Sequence, residues 1–443
     1  MKYFRLNLIL KGGLTAYCLF MLPAMQLNAQ RGAKQIGDFK ESISLNEHLR
    51  GAKRTLQYHP DGDEFVCING KNRYTRALYG RHSPFRVETS DRPVFAFYNN
   101  GRGGNISFKI ILRDGTEVAL DRTGHCESRY SAGKRTYYLT DPSWGKGELR
   151  IVVLALADMD GAIWRFSASN MPKGAILRWQ HGGATGKRLS RNGDMGVDPA
   201  DCFELPAEAA DLVTGELPLQ KEAYLVRGEV PEQSNARKLY QKAEAASLAL
   251  ASRLKIETPD PYLNTLGGAL VAAADGIWDG QVWLHGAIGW RMPLSGWRAG
   301  YTGDALGWHD RARTHFDAYA ASQVTDVPNT IPHPAQDSTM NLARSEKRWG
   351  TPQYSNGYIC RNPGRNNQMH HYDMNLCYMD ELLWHFNWTG DTAYVRKMWP
   401  VITRHLAWEK LNYDPDNDGL YDAYACIWAS DALYYNSGAV THS

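Results

Sequence analysis

The chain has 443 residues, enough for more than one folded unit, with 50 Lys+Arg against 47 Asp+Glu and a formal net charge of +3. So near-neutral a balance argues against a nucleic-acid or membrane-surface role. Its 14 Trp and 24 Tyr suit a partner with flat apolar faces and polar edges, such as a sugar, although large cores use the same residues.

The N-terminus reads as a targeting segment. Lys2, Arg5 and Lys11 precede and flank an apolar run, Leu14 to Leu22, and Leu27-Asn28-Ala29 offers a small-residue cleavage site before Gln30. The run is too short to span a bilayer, and the residues before Cys18 make a poor lipoprotein signal. Residues 1–29 are therefore expected to be a cleavable signal peptide, and the mature chain to be periplasmic or extracellular with no membrane span. Cys67, Cys126, Cys202, Cys360, Cys377 and Cys426 remain, scattered and without a Cys-x-x-Cys pair. That spacing disfavours zinc and reads as buried free thiols.

From 30 to 230 the pattern is β and predicts a β-sandwich domain. Ile106, Phe108, Ile110 and Leu112 alternate with their neighbours, and Asp114-Gly115 is a turn signal, so 105–121 reads as a hairpin. Leu149 to Ala157 is a continuous apolar run that turns at Asp160-Gly161 into Ala162–Ala168, and Ala175 to Trp179 is a further short strand. No catalytic constellation stands out here, so the expected role is scaffold or rim.

The period then changes. Asn235 to Leu254 is rich in helix formers and predicts a linker helix within 231–258. Tyr262 to Ile277 reads as helix, Trp278 to Trp290 as irregular, and 303–322 as one continuous helix. Asp304, Trp308, Arg311 and His315 fall on one face of that helix, an unusual mix for a face meant only for burial. Residues 324–370 lack periodicity and suggest a lid or binding loop. Asp373 to Trp388 is a helix with Met374, Cys377, Tyr378, Leu382 and Phe386 as its buried stripe. Thr389-Gly390-Asp391 ends it, the next helix carries Val395, Met398, Trp399, Ile402 and Leu406, and Asp414–Asp422 is a turn.

This is the rhythm of stacked helical hairpins. Three segments, Gly296–His315, Tyr372–Asp391 with its Trp399-Pro400 continuation, and Asp414–Asp431, resemble the six-hairpin (α/α)6-barrel glycosidases, a group that includes trehalases, α-L-rhamnosidases and glucoamylase-like enzymes. They look closest to an incompletely characterised exported family of polysaccharide-degrading bacteria. The resemblance covers about residues 60–443 and implies a multidomain β + α fold, an N-terminal β-sandwich followed by an α/α-hairpin toroid. Only about two and a half hairpins can be counted in 259–443, so the barrel is expected to be incomplete, the N-terminal part of a longer catalytic domain.

Glycoside cleavage without a cofactor needs two carboxylic groups, one giving a proton and one activating water or attacking. Asp431 is the first choice as general acid, because Cys426-Ile427-Trp428-Ala429-Ser430 would raise its pKa; a helix N-cap is the competing role. Asp304 and Asp373 are further catalytic candidates, and both equally suit a helix N-terminus. The second carboxylate is expected beyond Ser443. Trp297, Arg298, Trp308, His309 and Arg311 form the expected sugar platform, joined by His371 and Trp428, with packing between hairpins as the alternative. Asp414, Asp416 and Asp418 match the start of an oxygen-ligand calcium loop, but Ala425 stands where a glutamate is needed, and the same residues also make tight turns. A structural calcium is thus the one ion the pattern suits, and no cofactor is required. The leading reading is an exported glycoside hydrolase acting on oligosaccharides of complex glycans. A polysaccharide lyase using His371, Tyr372 and Arg365, or a non-catalytic glycan-binding protein, are the alternatives.

Overall fold

Alternation of buried and half-buried residues marks the strands Gly104–Ile111 and His125–Ser131 in the first half of the chain. The computed structural model describes residues 57–98, 104–183, 212–219, 221–286, 291–296, 298–326, 354–366, 373–414, 416–422 and 439–440. In chain order its strands are β1 (His59–Asp61), β2 (Glu64–Ile68), β3 (Arg76–Leu78), β4 (Arg86–Thr89), β5 (Phe95–Tyr98), β6 (Gly104–Ile111), β7 (Glu117–Ala119), β8 (His125–Ser131), β9 (Lys134–Thr140), β10 (Glu148–Ala155), β11 (Gly161–Ser169), β12 (Ile176–Gly183), β13 (Val213–Pro218) and β14 (Ala223–Gly228). They form two antiparallel seven-stranded sheets, ordered β1-β2-β8-β9-β10-β11-β14 and β13-β12-β6-β5-β4-β3, with β7 beside β6.

Register explains which residues are buried. Leu139, Leu149 and Ala168 stand in one row across β9, β10 and β11, and Tyr137, Ile151 and Phe166 in the next inward row. The opposing sheet supplies Val87, Phe95, Phe108 and Leu177 to the same core. Trp164 lies at its centre, with ring centroids 5.5 Å from Phe95 and 6.0 Å from Phe97 and Phe108. The expected hairpin at Asp114-Gly115 is present: Gly115 takes φ +86 and the Thr116 amide donates to Asp114 Oδ1 at 2.9 Å.

The apolar run at Leu149–Ala157 has a tertiary cause. A half-buried strand would alternate, but the second half of β10 is buried on both faces. Helix α1 (Ala236–Ala251), capped by the Asn235 side chain on the Lys238 amide at 3.0 Å, lies over it. Val152, Leu154 and Ile163 pack there against Tyr240 and Ala243.

The second half is helical: α2 (Pro261–Asn264), α3 (Leu266–Gly276), α4 (Gly300–Ala305), α5 (His309–Ala320), α6 (Asp373–Thr389) and α7 (Thr392–Tyr413). A separate core of Val271, Trp283, Phe316, Tyr378, Leu382 and Met398 joins them. Of the stripe expected on α6, Met374, Tyr378 and Leu382 are buried, while Cys377 and Phe386 are half-buried. Gly390, at φ +60, ends α6, and Asp391 caps α7 by accepting from the Tyr394 amide at 3.0 Å. Among the described residues no helix is long and apolar enough to cross a membrane. Cys67, Cys126 and Cys360 are buried and Cys377 is half-buried; Cys202 and Cys426 lie outside the described residues.

One expected element is corrected. Residues 303–322 are not a single helix, because the chain breaks between α4 and α5 at Gly307, which takes φ +70. Asp304, Trp308, Arg311 and His315 therefore do not share a face. Asp304 turns to α6, Arg311 to the last turn of α3, and His315 packs in the core, its Nδ1 accepting from the Trp283 amide at 3.2 Å.

Candidate functional site

Helices α4 and α6 meet through a layer of polar side chains. Gly300 faces Glu381, and one turn further along each helix Asp304 faces His385. The Asp304 carboxylate is sealed from solvent. It accepts from His385 Nδ1 at 2.9 Å to each oxygen and from His309 Nδ1 at 2.7 Å. Burial by itself would raise its pKa; the two imidazoles outweigh that and hold the carboxyl below its ordinary range. His309 is 43% exposed, so a buried anion fixes the orientation of a ring at the rim.

Glu381 is the opposite case. Its side chain is fully buried, and this burial pushes its pKa well above the ordinary value. The amides of Arg298 and Gly300 lie beside the carboxyl, but neither oxygen has a well-formed hydrogen bond. Facing helices thus carry one carboxyl whose pKa is held low and one whose pKa is pushed up. Acid–base pairs in active sites share that division, as do purely structural networks.

A second cluster lies at the seam between the sheets and the helices. Asp275, in the last turn of α3, accepts from Arg311 Nη1 at 2.7 Å and bonds His82 Nε2 at 3.1 Å. Burial opposes its ionisation, but His82 and Arg311 prevail and keep its pKa below the usual carboxylate range. The Arg311 guanidinium lies over Trp308 at 4.4 Å and Trp278 at 5.6 Å. Arg253 lies over Trp308 at 5.2 Å and donates through Nη2 to the Leu306 carbonyl at 3.1 Å. Tyr79, His82, Arg253, Asp275, Trp308 and Arg311 line a cavity of about 350 Å³. A carboxylate that accepts, guanidinium groups that donate and an indole edge suit a polyhydroxylated ring.

The sequence-derived residues distribute unevenly over these sites. Trp308 and Arg311 line the seam cavity. His309 is bound to Asp304, which is buried in the α4–α6 layer. Arg298 is exposed in the turn before α4, at φ +63, and Arg365 is also exposed. Asp373 opens α6, but its side chain lies outside the described residues, as do Trp297, His371, Tyr372, Trp428 and Asp431. Asp414, Asp416 and Asp418 come together, their carboxylate oxygens all within 4.8 Å of one another. The same loop makes turn bonds, Gly419 N to Asp414 Oδ1 at 3.3 Å and Leu420 N to Asp418 Oδ1 at 2.7 Å. Sequence reasoning missed Asp275 and His82. Asp275 did leave a signal, being the one charged residue in LGGALVAAADG; His82 left none.

Residues 100–216 match a family model described as Domain of unknown function (DUF4450). No curated protein matches the chain. Among solved structures the chain is similar to a bacterial glucoamylase complexed with acarbose, at 9% identity and a TM-score of 0.37, over 72% of this chain and 60% of that one. The chain thus spans about 60% of the length of that relative.

Glu381 gives a pH signature. Because folding raises its proton affinity, its contribution to stability is complete below the ordinary value of 4.5 and is lost as pH rises toward the folded value. Glu381→Gln is neutral at every pH. In thermal melts it is expected to match the wild type near about pH 4 and to exceed it near about pH 8; a variant that tracks the wild type across that range refutes the assignment.

Proposed function

We propose that this chain is an exported glycoside hydrolase, cleaving glycosidic bonds in oligosaccharides of complex glycans by carboxylic acid/base chemistry. The observation that carries the reading is the seam cavity, where Asp275 is held ionised between Arg311 and His82 beside the Trp308 indole. An ionised carboxylate cannot be the proton donor, so Asp275 suits the base or a hydroxyl acceptor. Asp431 is proposed as the general acid, in keeping with its apolar and aromatic neighbours in sequence. Trp308 and Arg311 would orient the sugar ring and its hydroxyls; Trp297, Arg298, His309, His371 and Trp428 are proposed as further substrate contacts from their sequence context. Asp304 would act through His309, and Asp373 remains a further acid candidate.

The same proposal takes residues 30–230 as a β-sandwich domain, 231–258 as its linker and 259–443 as the first part of an (α/α)6 toroid. It takes 1–29 as a signal peptide, which places the mature chain in the periplasm or outside the cell.

Reducing-end release from a panel of oligosaccharides tests the chemistry. Asp431→Asn is expected to lower kcat by about 10²–10⁴-fold, and Asp275→Asn to lower kcat/KM with KM raised. An unsaturated, ultraviolet-absorbing product would instead identify a lyase, and binding without any product a glycan-binding protein. Expressed in a secreting host, the mature chain should begin at Gln30 by mass spectrometry; a retained Met1 would refute the signal peptide.

Asp414, Asp416 and Asp418 are proposed to hold a structural calcium, since three carboxylates within 4.8 Å of one another repel unless a cation joins them. Added calcium should raise the thermal midpoint of the wild type and leave that of Asp416→Asn unmoved. Equal responses would assign the loop to turn formation alone.

A further inference from the structure

A cavity larger than the one at the seam lies elsewhere. It is a groove of about 1070 Å³ on the outer face of the first sheet, lined by β8–β11, by Lys221 and Glu222 before β14, and by Arg237 in the first turn of α1. We propose that this groove binds an uncharged oligosaccharide. The proposal does not rest on the hydrolase reading, because a glycan-binding protein would use the groove equally.

Register places its floor. Tyr138 on β9 stands between Glu127 on β8 and Arg150 on β10, and Arg150 is followed by Ser167 on β11. In the next outward row His125, Thr140, Glu148 and Ser169 align. Along the same strands and the same face, the residues beneath α1 are Val152, Leu154 and Ile163. The outer face therefore changes from apolar to polar where the helix ends, and α1 forms the wall at that boundary.

A polar outer face exposed to water is common, so the case needs more than polarity. Three features go beyond it. The surface is concave, with room for several sugar rings. Tyr138 is kept 38% exposed and is braced by the guanidinium groups of Arg150 at 5.3 Å and Arg129 at 6.0 Å. Arg150 Nε is buried without a partner, and its guanidinium lies over the Tyr138 ring.

Charge selects the ligand. Arg237 and Glu222 neutralise each other as an ion pair, and Glu148 offsets one of Arg150 and Lys221. A lining this balanced offers little to a polyanion. An aromatic ring, the hydroxyls of Thr140, Ser167 and Ser169, one fork of donors and one carboxylate match the alternating faces and hydroxyls of a neutral sugar chain.

Isothermal titration of the full chain with maltoheptaose, cellohexaose, xylohexaose, mannohexaose and a polygalacturonate oligomer tests this. At least one neutral oligomer is expected to bind. Tyr138→Ala and Arg150→Gln should each weaken it about tenfold or more with the thermal midpoint unchanged, and Tyr138→Phe should retain it. Arg311→Ala, at the seam, should leave this binding intact. The proposal is overturned if no neutral oligomer binds, if only polygalacturonate binds, if Tyr138→Ala binds like the wild type, or if Arg311→Ala abolishes binding. Loss of hydrolysis in the Asp431→Asn protein with groove binding retained bears on the catalytic reading alone.

Discussion

The helical half depends on how closely the segment before α5 approaches α6. A Cβ on Gly296 would lie 1.8 Å from the Met374 carbonyl oxygen, and one on Gly300 would lie 2.5 Å from Glu381 Oε2. At Gly296 only glycine lets the two backbones meet, while at Gly300 an added Cβ would push the Glu381 carboxyl aside. That approach brings Asp304 within reach of His385, a residue 81 positions away. One buried carboxylate then organises an imidazole in the core and another at the rim. The break at Gly307 follows at once, and from it α5 starts in the direction that sends Arg311 to Asp275.

Helix α1 links the two cavities. Its first turn supplies Arg237 to the groove on the outer sheet face, and its last turns, with Arg253 beyond, wall the seam cavity. Its apolar stripe is the lid over Val152, Leu154 and Ile163. A helix that reads as a connector in the sequence is therefore the element that sets the extent of both sites.

Buried polar groups play a related part in fixing loops. Asn375 accepts from the Ile359 amide at 2.7 Å and donates to the Ile359 carbonyl at 3.1 Å. Trp408 Nε1 and Asn412 Nδ2 donate to the Tyr354 carbonyl at 2.6 and 3.2 Å. Each is a side chain on α6 or α7 replacing the backbone partner that an irregular segment lacks. His315 belongs to the same core, and burial pushes its pKa down to about 3, so it stays a neutral imidazole that accepts from the Trp283 amide.

What the sequence determined by itself was local. Alternation in β6, the Asp114-Gly115 turn, the Asn235 cap and the Gly390-Asp391 junction all follow from the conformational preferences of residues near each other in the chain. The tertiary structure alone decided the rest. Residues 303–322 keep helix-compatible spacing, yet the chain breaks at Gly307 and Asp304 turns to α6. The Asp275–His82 pair spans 193 residues, and no periodicity records such a partner. Nothing in the strand pattern of β9 and β10 records that the first turn of α1 walls their outer face. Short-range preferences set which elements form; which side chains share a cavity depends on close packing between segments far apart in the chain, and that is written in no single stretch of it.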